Sequence, residues 1–217
     1  MKQIGFLFDL DGVIVDTAKY HFLAWKDLAQ ELSIPFTEQD NELLKGVSRV
    51  RSFEIILELG GRTMSEEDKQ AYCAKKNDVY LSYIDRLKKE EVLPGAREFL
   101  IAAKEAGIGV ALGSASKNAR RILDKLELTD LFDAIVDGTV VSAAKPDPEV
   151  FVKGAQALGL ENSQCVVFED SVAGIEAALA GGMKAVGVGR QEDLPLANTW
   201  IQSFYGLTPQ DILDRLA

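Results

Sequence analysis

The sequence predicts an α/β fold: a parallel sheet between layers of helices, with a helical segment inserted after the first strand. Three observations lead there. From about residue 92 onward, short apolar runs alternate with amphipathic helical stretches, the pattern of strands joined by crossover helices. Residues 17–91 differ in kind, holding helical patterns and no convincing strand. Residues 4–8 form a nearly continuous apolar run, as a strand buried on both faces of a parallel sheet requires.

Taken in order, the first strand covers 4–8 and ends on Asp9 and Asp11, after which Gly12 lets the chain turn sharply. In the insert, amphipathic segments near 17–32, 38–45, 49–60 and 65–88 read as helices, and Gly46 can cap the second of them. Pro94-Gly95 marks the return to the alternating region. There, helices are expected near 96–106, 118–127, 148–158 and 171–181, and strands at 108–113, 134–136, 165–168 and 185–188. Asp147 can cap and Pro148 can open the third of these helices, while Asp170-Ser171 suits the start of the fourth. The expected domains are therefore 1–16 with 92–217, and 17–91. There is no internal repeat and no low-complexity tract, and the tail after Gln191 carries no indication of substrate.

With 217 residues the chain can bury a sizeable core, and 47% hydrophobic with 27% charged residues is an ordinary globular composition. The 24 basic against 34 acidic residues give a net charge of −10, which argues against nucleic acid or an anionic membrane as partner. Cys73 and Cys165 lie far apart and suggest neither a disulfide framework nor a zinc site. The first apolar stretch is interrupted by Asp9 and does not read as a signal peptide, and no run reaches the roughly 18 apolar residues of a membrane span. A cytoplasmic protein is expected.

Chemistry concentrates at the strand exits, where open α/β sheets bind ligands. These exits carry Asp9 and Asp11, Ser114-Ala115-Ser116, Lys145, and Glu169-Asp170. Carboxylates at the end of a buried strand need a cation or a reaction to justify them, because burying unpaired charge is costly. Asp9 leaves the strand directly and is the natural nucleophile; Asp11 is the candidate acid/base. Asp170 would complete a divalent-metal site with Asp9 and a backbone carbonyl of Asp11, or cap a helix, or do both. Glu169 is either a further ligand or a partner of the ligands. Ser114, before a helix, suits either a phosphoryl group or a helix cap, and Lys145, fixed in direction by the turn that follows it, suits a phosphoryl group.

The run Asp9-Leu10-Asp11-Gly12, then Ser114, Lys145-Pro146 and Glu169-Asp170, closely resembles the ordered motifs of the haloacid dehalogenase superfamily of phosphotransferases. The resemblance covers essentially the whole chain. It implies a Rossmann-like three-layer core with an inserted α-helical cap, transient phosphorylation of Asp9, and Mg²⁺ as cofactor. It makes Asp9, Asp11, Ser114 and Lys145 the catalytic set and Asp9, Asp11, Glu169 and Asp170 the metal set.

Within the superfamily, the insert is similar to that of the sugar-phosphate mutases at residues 16–22 with Trp25-Lys26, 44–49 and 75–78, and in the core at Ser114–Asn118. This likeness implies that Arg49 clamps the distal phosphate of a bisphosphate sugar, met from the core by Ser116, Lys117 and Asn118. It implies that His21 and Lys76 couple cap closure to the placement of Asp11, and that Thr17, Trp25, Lys45, Gly46, Val47 and Ser52 line the cleft. The expected activity is interconversion of β-glucose 1-phosphate and glucose 6-phosphate through a bisphosphate; the alternative is a phosphatase of hexose or deoxyhexose phosphates. Partners would be small sugar phosphates only, and the single cap suggests a monomer.

Overall fold

A computed structural model describes residues 3–44 and 47–217. The chain divides into two compact units, Met1–Asp16 with Lys88–Ala217, and Thr17–Leu87. The division falls just before the short 3-10 turn Lys89–Glu91, which belongs to the first unit.

The first unit is built on six parallel strands: β1 (Gly5–Phe8), β2 (Gly109–Gly113), β3 (Ala134–Val136), β4 (Cys165–Glu169), β5 (Lys184–Val188) and β6 (Thr199–Ile201). They lie in the order β3-β2-β1-β4-β5-β6. Alternation along β1 divides the core between the sheet's two faces. Phe6 and Phe8 point to one face and join Phe168, Phe204 and Phe99 of α5 (Ala96–Glu105); Phe8 stacks on Phe168 with ring centroids 4.6 Å apart. Leu7 points to the other, among Ala111, Val167, Phe151 and Ala155 of α7 (Glu149–Leu158) and Ile175 of α8 (Val172–Ala180). A Cβ on Gly154 of α7 would lie 2.8 Å from Leu7 Cδ2, so glycine is what lets this helix come so close to the central strand. Cutting Leu7 back to alanine would cost about 2–5 kcal/mol in so tight a core.

Two further elements differ from the sequence expectation. β6 is a three-residue edge strand that opens on Thr199 and, unlike the equally short but wholly apolar β3, offers no apolar run. The helix α9 (Pro209–Leu216) is announced by Thr208, whose hydroxyl accepts from the Asp211 N–H, and by proline in its first turn. α6 (Ala119–Leu126) and the other helices of this unit fall within a residue or two of where periodicity puts them.

The second unit is helical throughout: α1 (Ala18–Glu31), α2 (Glu38–Glu42), α3 (Arg49–Leu59) and α4 (Glu66–Ile84). Its core gathers Trp25, Leu28, Ala29, Phe36, Phe53, Ile56 and Cys73, with Trp25 and Phe53 stacked at 6.2 Å. Thr37, Ser48 and Ser65 cap α2, α3 and α4 by accepting a backbone N–H two or three residues into each helix. No helix among the described residues is long and apolar enough to cross a membrane.

Candidate active site

Register brings the strand exits to one level. Phe8 pairs with Leu112 on one side and Phe168 on the other, at the point where the strand order turns. Asp9, Gly113 and Glu169 therefore follow at the same height. The Asp9 N–H continues the ladder to the Phe168 carbonyl at 3.0 Å. Beyond it the chain folds back on itself: the Gly12 N–H donates to Val15 and the Ile14 N–H to Leu10, each at 2.9 Å. Leu10, Val13, Ile14 and Val15 are buried, which anchors this turn to the core.

Lys145 lies at the centre. Its ammonium donates to Asp9 Oδ1 and to Glu169 Oε1, each at 2.5 Å, and its side chain is 1% exposed. Glu169 spends its other oxygen on the Ser171 N–H and hydroxyl, both at 2.8 Å. A Cβ on Gly174 would lie 1.9 Å from Glu169 Cδ, so α8 leaves room for this carboxylate only by carrying glycine there. With both oxygens engaged, Glu169 is placed to orient the lysine. Burial pushes the Asp9 carboxyl up to about 6; Lys145 opposes that and the Glu169 charge adds to it. Burial would lower the lysine, but its two carboxylate partners hold it above its ordinary value and therefore charged.

Asp170 sits against the Asp9–Gly12 turn. A Cβ on Gly12, whose φ is +77°, would fall 2.0 Å from Asp170 Oδ2. Glycine serves there for both its left-handed backbone and the carboxylate beside it. No group of three or more His, Cys, Asp or Glu side chains stands assembled as a metal cage among the described residues. The Lys145 ammonium takes the point between Asp9 and Glu169.

Ser114 is buried past β2, its N–H donating to the Val136 carbonyl at 3.0 Å and its hydroxyl accepting from the Ser116 N–H at 3.1 Å. Ser116 in turn accepts from the Asn118 N–H, while Lys117 is exposed. The turn after β3 grips this loop: Gly138 N–H donates to the Ser116 carbonyl at 3.2 Å, and a Cβ there would lie 2.2 Å from the Ala115 carbonyl oxygen. Beside it, Asp137 is buried and accepts from Thr139 and faces Arg120.

In the second unit, His21, Lys76 and Trp25 form one cluster. His21 Nδ1 is 2.7 Å from the Lys76 ammonium, and the imidazole stacks on Tyr80 at 4.1 Å. Lys76 is buried, 4.5 Å above the Trp25 ring and 4.8 Å above Tyr80. Burial, then the Lys76 and Arg49 charges, hold the imidazole well below its ordinary pKa. Facing an ammonium, Nδ1 must accept, which leaves the imidazole N–H on Nε2.

Arg49 opens α3, and its guanidinium donates to Asn77 Oδ1 at 2.7 Å. It is half-buried, and among the described residues no carboxylate forms an ion pair with it. Ser52, one turn on, is buried; Val47 is half-buried just before the Ser48 cap. Thr17 is fully buried at the start of α1, with its carbonyl accepting from Tyr20 and His21. Lys45 and Gly46 lie outside the described residues.

Sequence reasoning overlooks Tyr80, Asn77 as the partner of Arg49, Asp137, and Ser171 as a donor to Glu169. Tyr80 follows Lys76 by one helical turn, a spacing that puts the two on one face.

Residues 5–182 match the model of the family described as haloacid dehalogenase-like hydrolase. A β-phosphoglucomutase from Bacillus subtilis (strain 168) is 43% identical over 210 residues, covering 96% of this chain and 92% of the relative. A fructose-1-phosphate phosphatase from Escherichia coli (strain K12) is 34% identical over 187 residues, covering 86% of this chain and 97% of the relative. The crystal structure of a β-phosphoglucomutase from Clostridium difficile superposes with a TM-score of 0.95 at 40% identity, over 100% of this chain and 97% of that one. Sequence, strand order and motif placement agree: the chain belongs to the haloacid dehalogenase-like hydrolase family, and within it closely resembles the β-phosphoglucomutases.

Proposed function

We propose that this chain is a Mg²⁺-dependent β-phosphoglucomutase, interconverting β-D-glucose 1-phosphate and glucose 6-phosphate. The observation that carries the proposal is Arg49: a half-buried guanidinium held by a neutral amide, with no carboxylate ion pair among the described residues. Such a fork suits a second phosphate, which a mutase must grip and a simple phosphatase need not. The likeness to β-phosphoglucomutases supports the same assignment.

In this scheme Asp9 carries the phosphoryl group. Its carboxyl, pushed up to about 6, is ionised at neutral pH. Starting from phospho-Asp9, the C6 hydroxyl of β-glucose 1-phosphate attacks phosphorus while Asp11 takes its proton and the aspartyl oxygen leaves. The resulting glucose 1,6-bisphosphate turns around. Asp9 then attacks the C1 phosphate, and Asp11 returns the proton to the departing C1 oxygen, leaving glucose 6-phosphate. Lys145 and Ser114 hold the transferring group. Arg49, with Ser116, Lys117 and Asn118, holds the other phosphate.

The donors present suit a hard divalent cation. They are oxygens throughout, two carboxylates face one ammonium, and Gly12 leaves space for the Asp170 carboxylate beside the Asp9 turn. Asp9, Asp170 and the Asp11 carbonyl would hold Mg²⁺, and Glu169 would steady Lys145. When bound, the ion supplies positive charge for the phosphoryl oxygens.

Residues 17–87 act as the cap that keeps water from phospho-Asp9, and His21, Lys76, Thr17, Trp25, Val47 and Ser52 are its contribution to the site. The protein is a cytoplasmic monomer, consistent with its two buried free thiols.

A second assignment, a Mg²⁺-dependent hexose phosphate phosphatase, draws on the similarity to the fructose-1-phosphate phosphatase. One assay separates them: β-glucose 1-phosphate, Mg²⁺ and a trace of glucose 1,6-bisphosphate, with glucose 6-phosphate and free phosphate measured in the same tube. Isomerisation with little phosphate released, abolished in Asp9→Asn, is expected. Phosphate release without isomerisation overturns the mutase assignment.

A further inference from the structure

Lys145 reaches the site from a stretch, 137–148, that is neither helix nor strand. Something must fix that stretch if a buried ammonium is to meet two carboxylates at 2.5 Å. The first turns of α7 do so. One oxygen of Glu149, Oε2, accepts three hydrogen bonds: from Ser142 N–H at 2.7 Å, Ser142 Oγ at 2.9 Å and Ala143 N–H at 2.7 Å. Its other oxygen meets Lys153 at 2.6 Å, four residues along the helix. Lys153 also donates to the Val140 carbonyl at 2.6 Å. Closer to the lysine, Asp147 N–H donates to the Ala144 carbonyl at 3.0 Å, and Glu149 N–H to Asp147 Oδ1 at 2.9 Å.

We propose that Glu149, backed by Lys153, is a positioning residue: it clasps residues 140–143 so that Lys145 enters the gap between Asp9 and Glu169. The role rests on Lys145 being the phosphoryl-site lysine. An acidic residue at a helix start can also act by charge alone, through the helix dipole. The geometry separates the two, because three donors converge on one oxygen while the helix's own N–H groups do not. These donors and Lys153 together hold the Glu149 carboxyl down at about 2, Lys153 being the largest influence.

The test uses the full chain with Glu149→Ala, Glu149→Gln and Lys153→Met, each checked for a cooperative thermal transition. The first readout needs no substrate: the rate at which Lys145 is acetylated by acetic anhydride, followed on its peptide by mass spectrometry. Glu149→Ala is expected to raise that rate about 10-fold or more, with Glu149→Gln intermediate, since its amide oxygen still accepts. The second readout is turnover, where Glu149→Ala should lower kcat about 10–100-fold while KM moves less than about twofold. Lys153→Met, which keeps the three bonds to Oε2, should give a smaller loss than Glu149→Ala and serves in its place if that variant does not fold. A folded Glu149→Ala with Lys145 still protected, or with KM raised and kcat unchanged, overturns the proposal. A wild type without mutase or phosphatase turnover, whose Lys145 is nevertheless unmasked by Glu149→Ala, overturns the functional assignment and leaves the clasp standing.

Discussion

His21 and Lys76 meet nitrogen to nitrogen at 2.7 Å, the imidazole half-buried and the ammonium buried, with no carboxylate bonded to the imidazole among the described residues. Such a contact is favourable only while the imidazole is neutral. It turns the pair into a sensor of acid.

An unfolded histidine titrates near 6.5, while burial and the Lys76 charge hold His21 well below that in the folded chain. As pH falls through 6.5, the unfolded state gains a proton that the folded state refuses, so stability is lost on the acid side and complete above 6.5. Urea unfolding from pH 8 to 5 should show wild type losing stability relative to His21→Gln below pH 6.5, with a limiting slope of about 1.4 kcal/mol per pH unit. Parallel curves for the two proteins would refute the assignment.

Lys145→Met should be costly in two ways. It leaves the buried Asp9 and Glu169 carboxylates facing one another without their ammonium. Removing one member of a buried charge group typically costs about 3–5 kcal/mol. Denaturant titration at pH 7 should show that loss, shrinking in the double variant Lys145→Met with Glu169→Gln, which has one charge fewer to strand. Turnover should be abolished in both.

Arg49→Ala tests the second phosphate grip. Loss of a charge-assisted contact of about 2–3 kcal/mol should cut isomerisation roughly 30–200-fold, whereas hydrolysis of a simple phosphate ester changes little. Asn77→Ala, which frees the guanidinium without removing it, should cost less, about 5–10-fold, as one hydrogen bond does. Equal losses in both reactions would show that Arg49 does not discriminate between them.

Gly12→Ala addresses the cation. The new methyl would occupy the place of Asp170 Oδ2. Displacing a ligand carboxylate or its support weakens metal binding about 10–100-fold, so the Mg²⁺ concentration for half-maximal turnover should rise by that factor. An unchanged Mg²⁺ dependence would remove Asp170 from the metal set.

Much of this arrangement is written in local sequence. β1 and β4 are legible because both are apolar runs that stop at acidic residues, and a sheet edge is where such residues can serve. Ser114 stands out for the same reason, at the end of β2, and Lys145 by the Pro146-Asp147-Pro148 turn that follows it. Less legible are contacts made by distance. Tyr80 beneath His21 looks like any aromatic core residue until the fold brings together positions far apart in the chain. Glu169 could be read as ligand or supporter; the Ser171 donors and the Gly174 gap, which decide its geometry, depend on how α8 meets β4. β6 lacks the continuous apolar run that makes the equally short β3 legible, whereas α9 carries a readable cap whose helix has little apolar surface to advertise.

The position of β1 has a consequence for how the protein comes to exist. Gly5 is paired with Gly109 and Cys165, so the strand that leads into Asp9 finds its first neighbour only when half of the 217-residue chain has been synthesised, and its second only near residue 165. The helical unit, made of local contacts, can form long before then. Phe6, Leu7 and Phe8 meanwhile remain an unclaimed greasy segment, the kind that chaperones hold. Only when β4 docks beside β1 do Asp9, Lys145 and Glu169 meet. The cluster of two carboxylates and one ammonium is thereby withheld from any chain that ends before β4, while β5 and β6 have still to be added to the sheet.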